Sequence, residues 1–237
     1  MARMTLDELV RQTSLVYGEG LKCVALYGSA ARGEHRAKRS DLNVLVIVDA
    51  ISVTHLRQAG AVARAWRDAG NPPPLTLTMA EWRGSTDIFP IEYADILAHH
   101  RVLHGALPLD GIRVETRDLR LQLEHEVMSK LLRLRHAVLT SIGDNKALTA
   151  LLDDSVSSIL VLMRATLRLA GEEPPTDSMA VLDRVHAKTA IDVAPFQQVL
   201  ARARGSAAKD HGSAQEAAEG YLAGVGALVQ YVDRYGG

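Results

Sequence analysis

Apolar positions follow two different rhythms along this chain. Up to Gly105 they fall in short, near-continuous runs separated by Gly, Pro and charged residues. Leu21–Tyr27 and Leu42–Val48 are such runs, and each predicts a buried strand. Leu75–Thr78 and Phe89–Ile96 predict two more, and Leu97–Gly105 closes the unit. Among them, Thr5–Tyr17 predicts a helix capped by Thr5, Val53–Ala69 a second, and Met79–Ser85 a helical turn. Gly18–Gly20 and Asn71–Pro74 are breaks.

From Leu119 the rhythm changes. Leu119, Leu123, Val127, Leu131, Leu134 and Val138 recur at steps of three and four, which predicts one long helix to Ile142, ended by Gly143, Asp144 and Asn145. Lys146–Leu169, Ser178–Lys188, Ala194–Arg204 and Ser213–Tyr235 predict four further helices. The composition shifts over Leu109–Asp118. The expected class is therefore α+β: a small mixed β-sheet domain over residues 1–108, then a helical bundle over 109–237.

Composition narrows what such a chain does. Of its 237 residues 47 % are apolar and only 4 % aromatic, so the core is built from Leu, Val, Ile and Ala. The formal net charge of -1 argues against an extended nucleic-acid surface and against a basic membrane face. It leaves room for a small anionic ligand, which needs only a few local cations. The single cysteine, Cys23, excludes an intrachain disulfide and a Cys-based zinc site, and its apolar neighbours mark it as a buried structural thiol. Met1–Val10 has no apolar signal-like core, and no run approaches the ~18 apolar residues of a membrane span. A soluble, cytoplasmic protein is expected.

The candidate chemistry lies in Leu26–Gly33 and Ser40–Val46. A strand that ends in Gly28-Ser29 and opens a helix would present backbone N–H groups and a hydroxyl to phosphate oxygens. Residues two apart on a strand face the same way, so Asp41 and Asn43 are expected to point together, away from Leu42 and Val44. A polar pair projecting from an apolar strand is costly unless it meets a metal or polar ligand. Arg32, Arg36, Lys38 and Arg39 make a cationic loop between the two segments; it reads either as a solvated loop or as a triphosphate contact.

These segments resemble the nucleotidyltransferase superfamily that includes the aminoglycoside nucleotidyltransferases and the minimal nucleotidyltransferases. Its pattern is Gly-Ser, a Gly a few residues later, then a strand with two Asp separated by one residue, and a third carboxylate from a later strand. Gly28, Ser29, Gly33 and Asp41 match it. Asn43 stands where the second Asp belongs, which marks a subgroup with Asp-Leu-Asn in place of Asp-x-Asp. For the third carboxylate Glu92 matches best, with Asp95 as the fallback. The resemblance covers about the first 105 residues.

It implies a nucleotidyltransferase domain that binds a nucleoside triphosphate with Mg²⁺ or Mn²⁺ and transfers a nucleotidyl group to a hydroxyl of a small molecule or protein. Asp41, Asn43 and Glu92 would be the catalytic and metal-binding side chains. Gly28, Ser29, Arg32, Gly33 and Arg39 would meet the nucleotide. Asn43 keeps a second reading open. A neutral amide removes one charge from a site organised around divalent ions, so the domain is equally read as a catalytically lapsed module that binds nucleotide or a partner protein. A general base is marked by no motif; Glu124 and Glu126 on the first long helix are the carboxylates at hand. His99 and His100 are adjacent and face opposite ways, which disfavours a shared metal. The Leu-rich stripes of the later helices read as core or as a homodimer surface.

Overall fold

The computed structural model describes residues 3–33, 41–205 and 213–235. The chain forms two compact units, Met1–Glu115 and Thr116–Gly237.

The first unit is built on β1 (Leu21–Tyr27), β2 (Asn43–Val48), β3 (Leu75–Thr78) and β4 (His100–Gly105), in the sheet order β3-β2-β1-β4. β1 runs antiparallel to β2 and to β4, and β2 runs parallel to β3. The parallel pair needs a crossover, supplied by α2 (Val53–Asp68). Apart from Lys22 and Asn43, the strands β1 and β2 are apolar because both faces are covered. Val24, Leu26, Val44, Val46 and Val48 pack with Leu9 and Tyr17 of α1 (Leu6–Tyr17) and Trp66 of α2. Cys23, Ala25, Leu45 and Ile47 line the other face, against Trp82 of α3 (Met79–Gly84) and Tyr93 and Ile96 of α4 (Pro90–Ala98). Thr5 caps α1 by accepting from the Glu8 N–H at 3.2 Å, and Thr78 with Glu81 closes a capping box on α3.

The expected strand over Phe89–Ile96 is in fact the helix α4. The alternation of Ile91 and Tyr93 mimics a strand, but Pro90 at the first helical position presets φ and loses no needed N–H. Glu92 in the first turn suits the helix N-terminus, and Tyr93 and Ile96, three apart, bury together. The fourth strand lies further on, at His100–Gly105, on the edge of the sheet.

The first unit also extends past residue 108. The Trp82 indole N–H donates to the Pro108 carbonyl at 2.7 Å, and Ile112 and Val114 pack on the Trp82 side of the sheet.

The second unit is helical: α5 (Thr116–Ser141), α6 (Asn145–Leu169), α7 (Ser178–Thr189), α8 (Ala194–Ala203) and α9 (Ala214–Arg234). The most deeply buried of these is α6, which packs against all four others. Asp144, Asp177 and Ser213 cap α6, α7 and α9. Two sets of buried polar groups are answered within the unit. The Arg164 guanidinium bonds the carbonyls of Pro175 and Thr176, and the hydroxyls of Ser155 and Tyr221 meet at 2.9 Å. Together with the mixed sheet, this makes the chain α+β. Among the described residues, no helix is long and apolar enough to cross a membrane.

Burial makes one prediction directly. Cys23 is fully buried in β1, and that burial pushes its thiol up to about 11. The protonated thiol is the form the fold favours, so this contribution to stability is complete below the ordinary thiol pKa and is lost as pH rises through about 11. A disulfide dye at pH 8 should leave the native protein unlabelled and titrate one thiol per chain in denaturant; rapid labelling of the native protein would contradict the buried placement.

Candidate functional site

Strand pairing assembles a polar row at one end of the sheet. Tyr27, the last residue of β1, pairs with Asn43, the first of β2, on one side and with His100, the first of β4, on the other. Alternation puts Tyr27 and Asn43 on the side of Ala25, Leu45 and Ile47, the side that α4 covers. His100 closes the row against α4 through a 2.8 Å hydrogen bond between its Nδ1 and the Ile96 carbonyl.

The chain leaves β1 through Gly28. The expected helix start is a single 3₁₀ turn over Gly28–Ala30, followed by a turn ending at Gly33. Such a short turn has little of the dipole of a full helix. Gly28 has φ +75, and a Cβ there would stand 3.0 Å from Asn43 Nδ2. Both observations call for glycine: the backbone is left-handed, and the space is filled by the carboxamide of Asn43. Ser29 is half-buried in the turn, and Gly33 is exposed with φ +79.

Arg32 and Asp95 meet here, 63 residues apart in sequence. Arg32 donates to both carboxylate oxygens of Asp95, at 2.8 and 2.9 Å, and the two side chains are only 5 % and 17 % exposed. Arg32, expected on a triphosphate, is thus held against α4, and Asp95, the fallback metal carboxylate, is the group that holds it. Glu92 lies one turn earlier, in the first turn of α4 rather than on a strand. Burial pushes the Tyr27 phenol up to about 12, and the negative charges of Glu92 and Asp95 add to that. Both carboxylates therefore act on the side where Tyr27 lies, and Tyr27 remains a neutral phenol at physiological pH.

Asp41 departs from its expected geometry. The strand begins at Asn43, so the alternation that would align Asp41 with it does not extend that far, and Asp41 is an exposed loop residue. Arg39, with Arg36 and Lys38, falls outside the described residues. The donor set does not fit a pair of divalent ions. Among the described residues no three His, Cys, Asp or Glu side chains converge at metal-binding spacing. Asn43 is neutral, and Asp95 is engaged by Arg32. The turn at Gly28, the Asn43 amide and the Glu92 carboxylate remain as a polar corner beside Tyr27.

No family model and no curated protein matches the chain. Among solved structures it is similar to a spectinomycin adenyltransferase from Enterococcus faecialis, solved with ATP and spectinomycin. The TM-score is 0.60 at 12 % identity, over 96 % of this chain and 98 % of that one. The likeness is one of fold. The likeness spans the helical part as well as the sheet, whereas the sequence resemblance ended near Gly105.

Tyr27, His100 and the Arg32–Asp95 pair carry no motif. The only sequence signal for Tyr27 is its place directly before Gly28-Ser29, and nothing local links Arg32 to Asp95.

Proposed function

We propose that this protein binds a nucleoside triphosphate at the corner formed by Gly28, Ser29, Asn43 and Glu92, and that its nucleotidyl-transfer chemistry has lapsed. Gly33 completes the turn, and Arg39 is the loop cation assigned to the phosphates. One observation carries the reading: at the position of the second carboxylate, a neutral carboxamide is packed against Gly28, 3.0 Å from where a Cβ would be. A triphosphate meets one charge less there, but a divalent ion loses a ligand charge. Asp41 and Glu92 would be the carboxylates on a single Mg²⁺ or Mn²⁺ ion. The protein works as a soluble cytoplasmic module in this reading.

A second reading is favoured by the likeness to an adenyltransferase solved with ATP and spectinomycin. In it, Asp41, Asn43 and Glu92 are catalytic, a nucleotidyl group passes to a hydroxyl of a small molecule or protein, and pyrophosphate leaves. Calorimetric titration with each nucleoside triphosphate, with and without Mg²⁺ or Mn²⁺, followed by a pyrophosphate assay over a panel of hydroxyl acceptors, separates the two. Binding without pyrophosphate release is the expected result. Release above background would establish transfer instead, and failure to bind any nucleotide would sink both readings. The variant Asn43→Asp should tighten Mn²⁺ binding by about tenfold, because ligand charge count tunes such sites over decades. An unchanged affinity in a folded variant would mean that this side chain does not face the ion.

A further inference from the structure

The helix α5 carries two apolar stripes. Leu119, Leu123, Val127, Leu131 and Leu134 are buried, and α5 packs against α6 and α9. Leu121, Met128, Leu132 and Leu139 are 49 %, 42 %, 55 % and 70 % exposed. At 3.6 residues per turn this second stripe stands ~140° round the helix from the first. Ile142, also exposed, prolongs it just past the helix end. Isolated exposed apolar residues need no explanation, but exposed apolar residues recurring along one face of a long helix do.

We infer that the exposed stripe of α5 is the two-fold interface of a homodimer, with α5 packed antiparallel on α5 of a second copy. The spacing selects the occupant. Leu121, Met128, Leu132 and Leu139 are separated by seven, four and seven residues, the a/d rhythm of a coiled-coil seam. That spacing is a palindrome about Lys130. A two-fold axis at that level sets Leu121 of one copy against Leu139 of the other, and Met128 against Leu132, so one patch complements itself as a closed dimer requires.

Charge selects the direction. The exposed Arg135 and His125 lie in the same seam. Parallel copies would stack Arg135 on Arg135, whereas antiparallel copies place Arg135 opposite His125. Antiparallel packing also opposes the helix dipoles favourably. Five large apolar side chains from each copy cover on the order of 1,000 Å² in total, the lower bound of a specific interface. The inference stands apart from the nucleotide site.

Light scattering of the full chain across a concentration series tests the state. The expected mass is twice the 25.7 kDa of one chain. Leu132→Arg, at an exposed position, should raise the dimer dissociation constant about 100-fold while leaving the melting transition in place. A wild type that stays monomeric throughout, or a Leu132→Arg variant as dimeric as wild type, overturns the inference. Cysteine pairing tests the direction. Mixed Leu121→Cys and Leu139→Cys chains should form a disulfide-linked dimer on oxidation, and neither variant alone should. A link formed by Leu121→Cys alone would mean parallel helices and overturn the antiparallel arrangement.

Discussion

Asp95→Ala is expected to destabilise the first unit by about 3 kcal/mol, the range for breaking a buried ion pair from one side. The reason is the position of Arg32. Its side chain is 5 % exposed, and it makes two short bonds to Asp95. Alanine removes both bonds while the guanidinium stays in a poorly solvated place. Both tryptophans, Trp66 and Trp82, lie in the first unit, so tryptophan fluorescence during urea unfolding reports on that unit.

Two further variants assign the loss. Asp95→Asn keeps the shape and one acceptor oxygen and should fall between wild type and alanine. Arg32→Met combined with Asp95→Leu removes both charges and should recover most of the stability, because a buried pair is often matched by apolar groups of similar volume. A loss under about 1 kcal/mol for Asp95→Ala would mean that the pair behaves as an exposed one.

Gly105→Ala should cost the same unit about 3 kcal/mol, by a different route. Gly105 ends β4 with φ +68, and a Cβ there would stand 2.0 Å from the Lys22 carbonyl oxygen and 2.9 Å from its carbon. These are backbone atoms of the second residue of β1. They cannot yield without disturbing the Cys23–Gly105 pairing, next to a register shift between Val24 and Ala25 that leaves the ladder little slack. Gly111 is the internal control. It has φ +77, but a Cβ there would meet open space, so Gly111→Ala should carry only the left-handed strain of roughly 1 kcal/mol. Fluorescence-monitored melting compares the two. Equal losses would show that backbone conformation alone, without the Lys22 clash, accounts for Gly105.

Much of this fold was legible because its signals are local. The strands β1 and β2 are apolar runs, and the helical part announced itself through three- and four-residue repeats. The cap at Thr5 and the stop at Gly143 are each set by a few consecutive residues. The segment Phe89–Ile96 was misread because Ile91 and Tyr93 satisfy period two as well as a helix face that also includes Ile96. Pro90 was the local cue for the helix. The candidate site was legible only in part. Gly28, Ser29 and Asn43 stand in the motif, and strand pairing brings Asn43 onto the Gly28 turn. Asp41 was assigned to a strand that starts two residues later.

By itself, the sequence determined the α+β class and the succession of most elements. These depend on side-chain periodicity and residue identity, which a linear chain displays in full. Only the tertiary structure decided that Arg32 closes on Asp95, that Tyr27 sits between Asn43 and His100, and that Gly105 faces the Lys22 carbonyl. Each is a meeting of segments distant along the chain, which no local pattern encodes; for Tyr27 and Gly105 the register of β1 with β2 and β4 selects the partner.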